Sequence, residues 1–566
     1  MLPRLANVLA MYLRSNAARA ECEHALRATF PQVRLLESGW LVGERPLPGS
    51  PAARCVQPEL TVWEGEGELL SSGLQSEPID GLAERVRRLQ GEVGFARLEP
   101  SGRFLITRSA GGLVPVYVAR DAESVCIATS FEDLLRHRQT EPRADAMVQA
   151  LWSEGNAAFP DQRTFFEGVQ NIPRGHVAVG DLGVFALSTY WDPRPAHIDV
   201  PGPTLARAHA EEFRAALLAA LTATLSPDEP NLLTLSGGVD SSALAFLAHG
   251  LGFPLSTLTF VAPRRSSARP LQLAYVDSLV TELSIEHARR FDAEDEALEQ
   301  LFQRPLPALF YCPHPALRLL PEVAPELRPR VLFSGHFADE VSGYSQRLQD
   351  WITHTSARQL FDRHYPLPSG WRDVGRWLKR RTLQGLGYPL LPFPEAIGPW
   401  FAPELRIEVR DWAARERQLA LCDPRPLREL AAWCRLDGWL AMQWECCSRW
   451  GIRPSTPFFT RRMLELAFRC HPVELFGPGT KKILRRGLHG LVPARYLERA
   501  DKGHWKVIRL PPVARRMTGL PADVQKMLSG EYPFSGKPLT SLEDRALSQL
   551  VLFSRKVREV RHAAYG

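Results

Sequence analysis

The sequence predicts an α/β protein: a doubly wound parallel sheet, preceded by a separate strand-rich domain. Three observations carry that reading. The apolar run Leu232–Leu235 ends in Ser-Gly-Gly, enters a helical pattern, Ser241–His249, closed by Gly250, and continues into a second apolar run, Leu255–Val261. Strand, loop, helix, strand is the grammar of a parallel sheet with crossover helices. A further short strand, Val331–Phe333, leads into a second polar loop, Ser334–Glu340. The chain before Pro201 reads instead as strands and turns. These include Phe104–Thr107, Val114–Val118 and Ser124–Ala128, punctuated by Gly102, Gly111, Gly112 and Asp121.

Composition sets the bounds. A chain of 566 residues, 45% hydrophobic and 23% charged, is an ordinary globular composition. Its length alone suggests about three or four domains, or two large ones. A net charge of +6 spread over that length does not point to nucleic acid. The nine cysteines form no C-x-x-C pair, which reads as reduced thiols rather than disulfides or zinc ligands. No run approaches the ~18 apolar residues of a membrane span. Met1–Arg19 lacks the apolar core and cleavage site of a secretory signal, so a cytoplasmic location and no membrane partner are expected.

Pro-rich Asp192–Pro195, with Pro201 and Pro203, marks a linker between predicted domains 1–200 and 205–566. A helix follows from near Leu205 to about Leu225, with Ala206, Ala210, Phe213, Leu217 and Ala220 at helical spacing. Next comes the most informative segment, Leu235 to Ser242. Gly237 and Gly238 permit positive φ, so backbone N–H groups can converge on one point. Ser236, Ser241 and Ser242 add hydroxyls, and the helix start adds unpaired N–H donors and a partial positive charge. The result is a nest for pyrophosphate. Asp240 is out of place beside phosphates unless it holds Mg²⁺; the alternative is a helix N-cap. Asp339 likewise follows a strand, Val331–Phe333, and has the same two readings. Ligands of open parallel sheets sit beyond the carboxyl ends of the strands, so Asp240 and Asp339 are predicted to share the metal. The region from about 370 onward is mostly helical and rich in Trp. Within it, Leu436–Trp450 is apolar nearly all round yet carries Glu445. A buried carboxylate is costly unless paired and titrates high. Either it is functional or it pairs with Arg449 or Arg453.

Ser236–Ser242 resembles the SGG-x-DSS pyrophosphate loop of the asparagine synthetase and β-lactam synthetase superfamily, and Ser334–Glu340 resembles its SG-x-G-x-DE segment, with Phe337 where Gly is usual. Gly451–Arg453 with Pro457–Phe459, and Thr480–Arg486 with Val492-Pro493 and Arg499–Trp505, extend the likeness. It implies a PP-loop synthetase domain that cleaves ATP to AMP and pyrophosphate with Mg²⁺. ATP contacts are then expected at Leu235–Gly238, Asp240–Ser242, Ser334, Gly335 and the strand end Thr259-Phe260. Lys502 would contact phosphate and developing charge. His336, oriented by Glu445, would deprotonate the amine. The run Lys481, Lys482, Arg485, Arg486 reads as a solvated helix face. Leu271–Tyr275 is a reduced form of a frequent D-E-x-x-Y segment, which puts contacts there in doubt.

Leu89–Phe95, Thr107–Tyr117, Thr164–His176 and Tyr190–Pro193 resemble the superfamily's amidohydrolase-like domain, an Ntn-hydrolase-like α+β fold. Its glutaminase nucleophile is a Cys at the processed N-terminus. Here Leu2 follows Met1 and the first cysteine is Cys22, so a degenerate, structural domain is expected and the amine should reside on the substrate. Two subfamilies fit: β-lactam synthetases, and lasso-peptide cyclases, which join a peptide's N-terminal amine to an Asp or Glu side chain. His336, Pro115-Val116-Tyr117 and Asp501–Trp505 lean toward the cyclases. That reading implies a precursor peptide as substrate and a leader-peptide protease as an associated protein.

Overall fold

The structure, a computed structural model, describes residues 4–36, 38–46, 60–65, 79–86, 93–138, 166–192, 202–262, 266–292, 315–342, 436–475 and 481–499, with isolated positions between them. Among the described residues eleven antiparallel strands come first: β1 (Arg4–Leu13), β2 (Gln32–Leu35), β3 (Trp40–Pro46), β4 (Leu60–Gly65), β5 (Val93–Leu98), β6 (Phe104–Thr107), β7 (Tyr117–Arg120), β8 (Ser124–Ala128), β9 (Val169–Asn171), β10 (His176–Gly180) and β11 (Phe185–Thr189). β1 is the junction. It pairs with β3 and β8 along its length and with β4 only at Arg4 and Leu5, so the sheet divides into two halves there. Val8, Val42, Val118 and Ile127 of one half share a dry core with Ala96, Phe104, Ile106 and Ala178 of the other.

Local chemistry sets the turns. Asp121 accepts the N–H groups of Glu123 and Ser124, and Asp181 those of Gly183 and Val184, closing two hairpins as Asx turns. The strand expected over Val114–Val118 begins only at Tyr117, because Pro115 has no N–H to offer a ladder. Val114 and Val116 are buried in the loop instead. That loop is pinned by the fully buried Arg108, which donates to the carbonyls of Gly112, Val114 and Ile172.

The second sheet is wholly parallel. It contains β12 (Asn231–Thr234), β13 (Leu255–Val261), β14 (Ala288–Asp292), β15 (Val331–Ser334) and β16 (Arg453–Ser455), ordered β14-β13-β12-β15-β16. Both faces are covered. Leu233, Leu235, Val331 and Phe333 pack with the helices Pro203–Thr224 and Val239–Gly250. Leu232, Leu258 and Leu332 pack with Leu320–Leu327 and Leu436–Ser448. The expected doubly wound sheet is therefore present. Its strand order reverses between β12 and β15, and the crevice beyond their carboxyl ends is where such sheets bind ligands.

The helix Leu436–Ser448 is apolar all round because it serves three cores. Leu440 joins the cluster around β12, Met442, Cys446 and Cys447 the opposite face, and Trp444 the antiparallel core. Trp191 reaches the same junction and donates its indole N–H to Glu465 at 2.7 Å. Among the described residues, Cys22, Cys126, Cys446, Cys447 and Cys470 are free thiols, and no helix is long and apolar enough to cross a membrane.

Candidate active site

β12 delivers the chain to the sheet edge at Leu235, whose N–H still bonds Leu258 O at 2.9 Å. The turn follows at once. Gly237 sits at φ 73°, and a Cβ there would meet Gln272 O at 3.2 Å. Ser241 Oγ lies 3.1 Å from Ser236 Oγ and accepts the Ser236 N–H, while Ser236 Oγ accepts from Gly238 N. The hydroxyls thus brace the loop. The helix Val239–Gly250 starts with no side-chain cap, because its N-cap is Gly238. Its first turn faces the crevice with backbone donors and the positive end of the dipole.

β15, the neighbouring strand, ends in Ser334 and Gly335. Glycine is required at 335, where a Cβ would sit 2.9 Å from Asp240 Cβ and 3.1 Å from Ser241 N. This close approach lays the second loop against the first. Phe337, where the resembled pattern has Gly, keeps glycine's conformation at φ 68°. Its ring is buried and packs on Phe459, with centroids 4.5 Å apart, which offsets the backbone strain.

The two loops bring Asp240 and Asp339 together, as their positions after β12 and β15 predicted. Lys481 joins them: its ammonium pairs with Asp240 and lies 2.6 Å from Asp339 Oδ1, and its side chain is 5% exposed. The solvated face expected for Lys481–Arg486 is thus corrected. Lys481 is in the site, Lys482 is partly buried with its pKa lowered to about 8 by burial and Arg486, and Ile483 and Leu484 are core. Arg486 alone of the four charges is exposed. Burial lowers the Lys481 pKa, but the two aspartates more than offset it, so the ammonium stays charged. Arg499, beyond it, donates to Gly237 O and stacks 3.9 Å over Tyr275. Lys502 lies outside the described residues.

The strand end Thr259-Phe260 holds a second surprise. Phe260 O accepts from Gln272 Nε2 at 3.0 Å, and Gln272 Oε1 accepts the Ala262 N–H at 2.9 Å. Gln272 also approaches Ser236 O at 3.4 Å. Gln272, in the reduced segment Leu271–Tyr275, therefore ties the Ser236 loop to β13. Thr259 is buried, and Phe260 stacks on Phe291.

His336, near Asp339, has Nδ1 2.6 Å from Ser334 Oγ and its ring 5.2 Å from Trp439. Burial lowers its pKa to about 4 against the opposing pull of Asp339, so the imidazole is neutral near pH 7. The expected orienting partner is elsewhere. Glu445 accepts from Ser130 Oγ at 2.9 Å and from Phe131 N, the start of the helix Phe131–His137. Both its oxygens are engaged there, so the pairing of His336 with Glu445 is replaced by a helix cap across the two domains. Arg449 binds Glu132 in the same junction rather than Glu445. Burial, with Asp133 and Glu132 nearby, raises the Glu445 pKa to about 8 despite the Phe131 N–H.

The antiparallel domain adds no thiolate at Cys22, whose pKa is pushed up to about 11 by burial and Glu21. A cavity of about 960 Å³ is lined by Arg207, Arg214, Arg485 and His489 among others, and none of the predicted site residues line it.

Residues 212–559 match the family described as asparagine synthase. A curated relative, carboxyethyl-arginine beta-lactam-synthase of Streptomyces clavuligerus, is 29% identical over 190 residues, 33% of this chain and 34% of that protein. The chain thus spans about a third of the length of that relative. Among solved structures, a U34-tRNA thiolase with a [4Fe-4S] cluster from Methanococcus maripaludis aligns over 41% of this chain and 80% of its own at 15% identity and a TM-score of 0.21. A glutamine phosphoribosylpyrophosphate amidotransferase from B. subtilis aligns over 52% and 92% at 9% identity and a TM-score of 0.20. Superpositions that poor carry no argument.

Proposed function

Starting from a chain that belongs to the asparagine synthase family, we propose an ATP-dependent amide ligase that activates a carboxylate as its adenylate and passes it to an amine. The observation that carries this reading is the meeting of Asp240 and Asp339 at the strand-order reversal, beside a serine-braced glycine loop at a helix start.

Two carboxylates on hard-edged loops suit Mg²⁺, a cation that takes carboxylate and phosphate oxygens. Asp240 and Asp339 are the residues that would hold it; when bound, it would neutralise the phosphates and polarise the α-phosphate toward attack. The chain does the rest. Backbone N–H groups of Gly237 and of the first helical turn, Val239–Ser241, hold the pyrophosphate, and Ser334 and Gly335 close the crevice. The ring of His336 is uncharged and thus able to take a proton from the attacking amine. Phosphate and adenylate anions close by raise its basicity. Orientation of that ring falls to Ser334 and Trp439. Lys502 would complete the set at the phosphate.

The finer reading is a lasso-peptide macrolactam cyclase acting on a precursor peptide that carries both amine and carboxylate. The likeness of the Asp501–Trp505 segment, His336 in its slot and the Pro115-Val116-Tyr117 variant support it. The antiparallel region is read as an Ntn-hydrolase-like domain without its nucleophile, consistent with the high pKa of Cys22. A leader-peptide protease would then work on the same peptide. A β-lactam synthetase or an ammonia-dependent asparagine synthetase is the second reading, favoured by the curated relative and the family match.

The test is release of AMP and pyrophosphate from ATP and Mg²⁺, with Asp240→Ala as control. Aspartate plus ammonium is one substrate set; a peptide with a free N-terminal amine and an internal Asp or Glu is the other. Asparagine formation overturns the cyclase reading. ADP in place of AMP, or undiminished turnover in Asp240→Ala, overturns the adenylate mechanism itself.

A further inference from the structure

A buried lysine is expensive unless it is paired, and Lys481 is paired twice. Its ammonium lies between Asp240 and Asp339, with 5% of the side chain exposed. The backbone also departs from the ordinary: Lys481 is in the left-handed region at φ 63°, ahead of the helix Lys482–Gly487. A long-chain residue held there by its own ion pairs is strain of the kind that persists only when its surroundings demand it. The location is also pointed. Two carboxylates on adjacent loops repel one another when nothing positive separates them. The lysine occupies the position where a divalent cation shared by the two would sit.

We propose that Lys481 is the built-in counter-ion of the Asp240–Asp339 pair and makes divalent-cation binding conditional on the nucleotide. In the nucleotide-free protein the ammonium pairs with Asp240 Oδ2 and Asp339 Oδ1, so a free cation must displace it at a cost. ATP supplies a polyphosphate toward which the ammonium can turn, releasing the carboxylates to the cation that arrives with the nucleotide. No bond is made or broken; one cation exchanges for another on the same oxygens. The consequence is order: metal alone binds weakly, metal with ATP binds well. By linkage, ATP and metal must strengthen each other's binding by the same factor. This inference rests on the metal reading given under the proposed function.

The experiment is Mn²⁺ binding to the full chain, followed by electron paramagnetic resonance of the free ion, with and without ATP. For the protein without nucleotide, Lys481→Met should bind Mn²⁺ at least ~10-fold more tightly than the parent, and Lys481→Arg should resemble the parent. Adding Asp240→Asn to Lys481→Met should remove the gain, which ties it to this pair. In the parent, ATP should raise Mn²⁺ affinity at least ~10-fold beyond what ATP in solution contributes. That last measurement stands even where Lys481→Met fails to fold. Equal nucleotide-free affinity in parent and Lys481→Met, or Mn²⁺ binding in the parent that ignores ATP, overturns the counter-ion role while leaving the metal pair standing. Failure of Mn²⁺ to bind any form, with or without ATP, overturns the metal reading itself.

Discussion

Single residues in the crevice do separable jobs, and variants should separate them. Asp240→Asn removes a carboxylate from the pair and should abolish both AMP formation and amide formation, read as ATP–pyrophosphate exchange and product release. His336→Gln leaves the Ser236–Ser242 loop intact. Exchange should persist while amide formation falls by roughly 10²–10⁴-fold, the usual worth of a positioned base. Equal loss of both steps would remove His336 from the amine's side of the chemistry. Glu445 belongs to stability. Its pKa rises from an ordinary 4.5 to about 8, so the folded state binds more protons than the unfolded chain between those values. Stability linked to Glu445 is therefore full below pH 4.5 and is lost as pH rises toward 8. Glu445→Gln keeps acceptor and shape without the charge. It should flatten the pH dependence of the melting temperature across that window and melt above the parent at pH 8. His336 contributes the opposite slope: its lowered pKa costs stability as pH falls from 6.5 toward 4.

Elements carry the geometry that those residues need. The segment after β15 bends through a left-handed residue that is not glycine, and the buried ring of Phe337 on Phe459 holds the bend. Phe337→Ala should destabilise the fold by about 3–5 kcal/mol, the usual cost of emptying a buried aromatic site, and loosen Asp339. Chemical denaturation measures the first, and the KM for ATP the second. The strand–loop–helix grammar around Ser236 was legible because apolar runs, paired glycines and serines all agree locally. Asp240 and Asp339 were legible as partners because each follows a strand, and parallel sheets gather ligands at strand ends. Lys481 was not. A lysine in a run of charges reads as solvated, and nothing local says that Ile483 and Leu484 anchor that turn in the core. Gln272 was missed for a like reason, since one amide bridging two carbonyls and an N–H needs three separate segments in place.

The whole molecule is joined through the helix Leu436–Ser448. Trp444 completes the core of the antiparallel domain, and Glu445 caps that domain's helix Phe131–His137. The two predicted domains should therefore not separate cleanly. A chain of residues 1–200 lacks both groups, and a chain of 205–566 exposes an indole made for burial. Each should be less soluble and melt with lower cooperativity than the full chain; two independent, cooperative transitions in the separated pieces would overturn this. Trp444→Ala in the full chain should cost about 3–5 kcal/mol.

The parallel sheet, the glycine–serine loop at its edge and the two aspartates after β12 and β15 follow from the sequence alone, because each is written in contiguous residues whose periodicity and turn chemistry act locally. Only the tertiary structure decided the partners of the charges. Whether Glu445 faces His336 or Ser130, and whether Lys481 faces water or Asp240 and Asp339, depends on which distant segments pack around them. Burial and pairing of a charge are properties of that packing, since the cost of leaving water is offset only by groups that the fold brings from elsewhere in the chain.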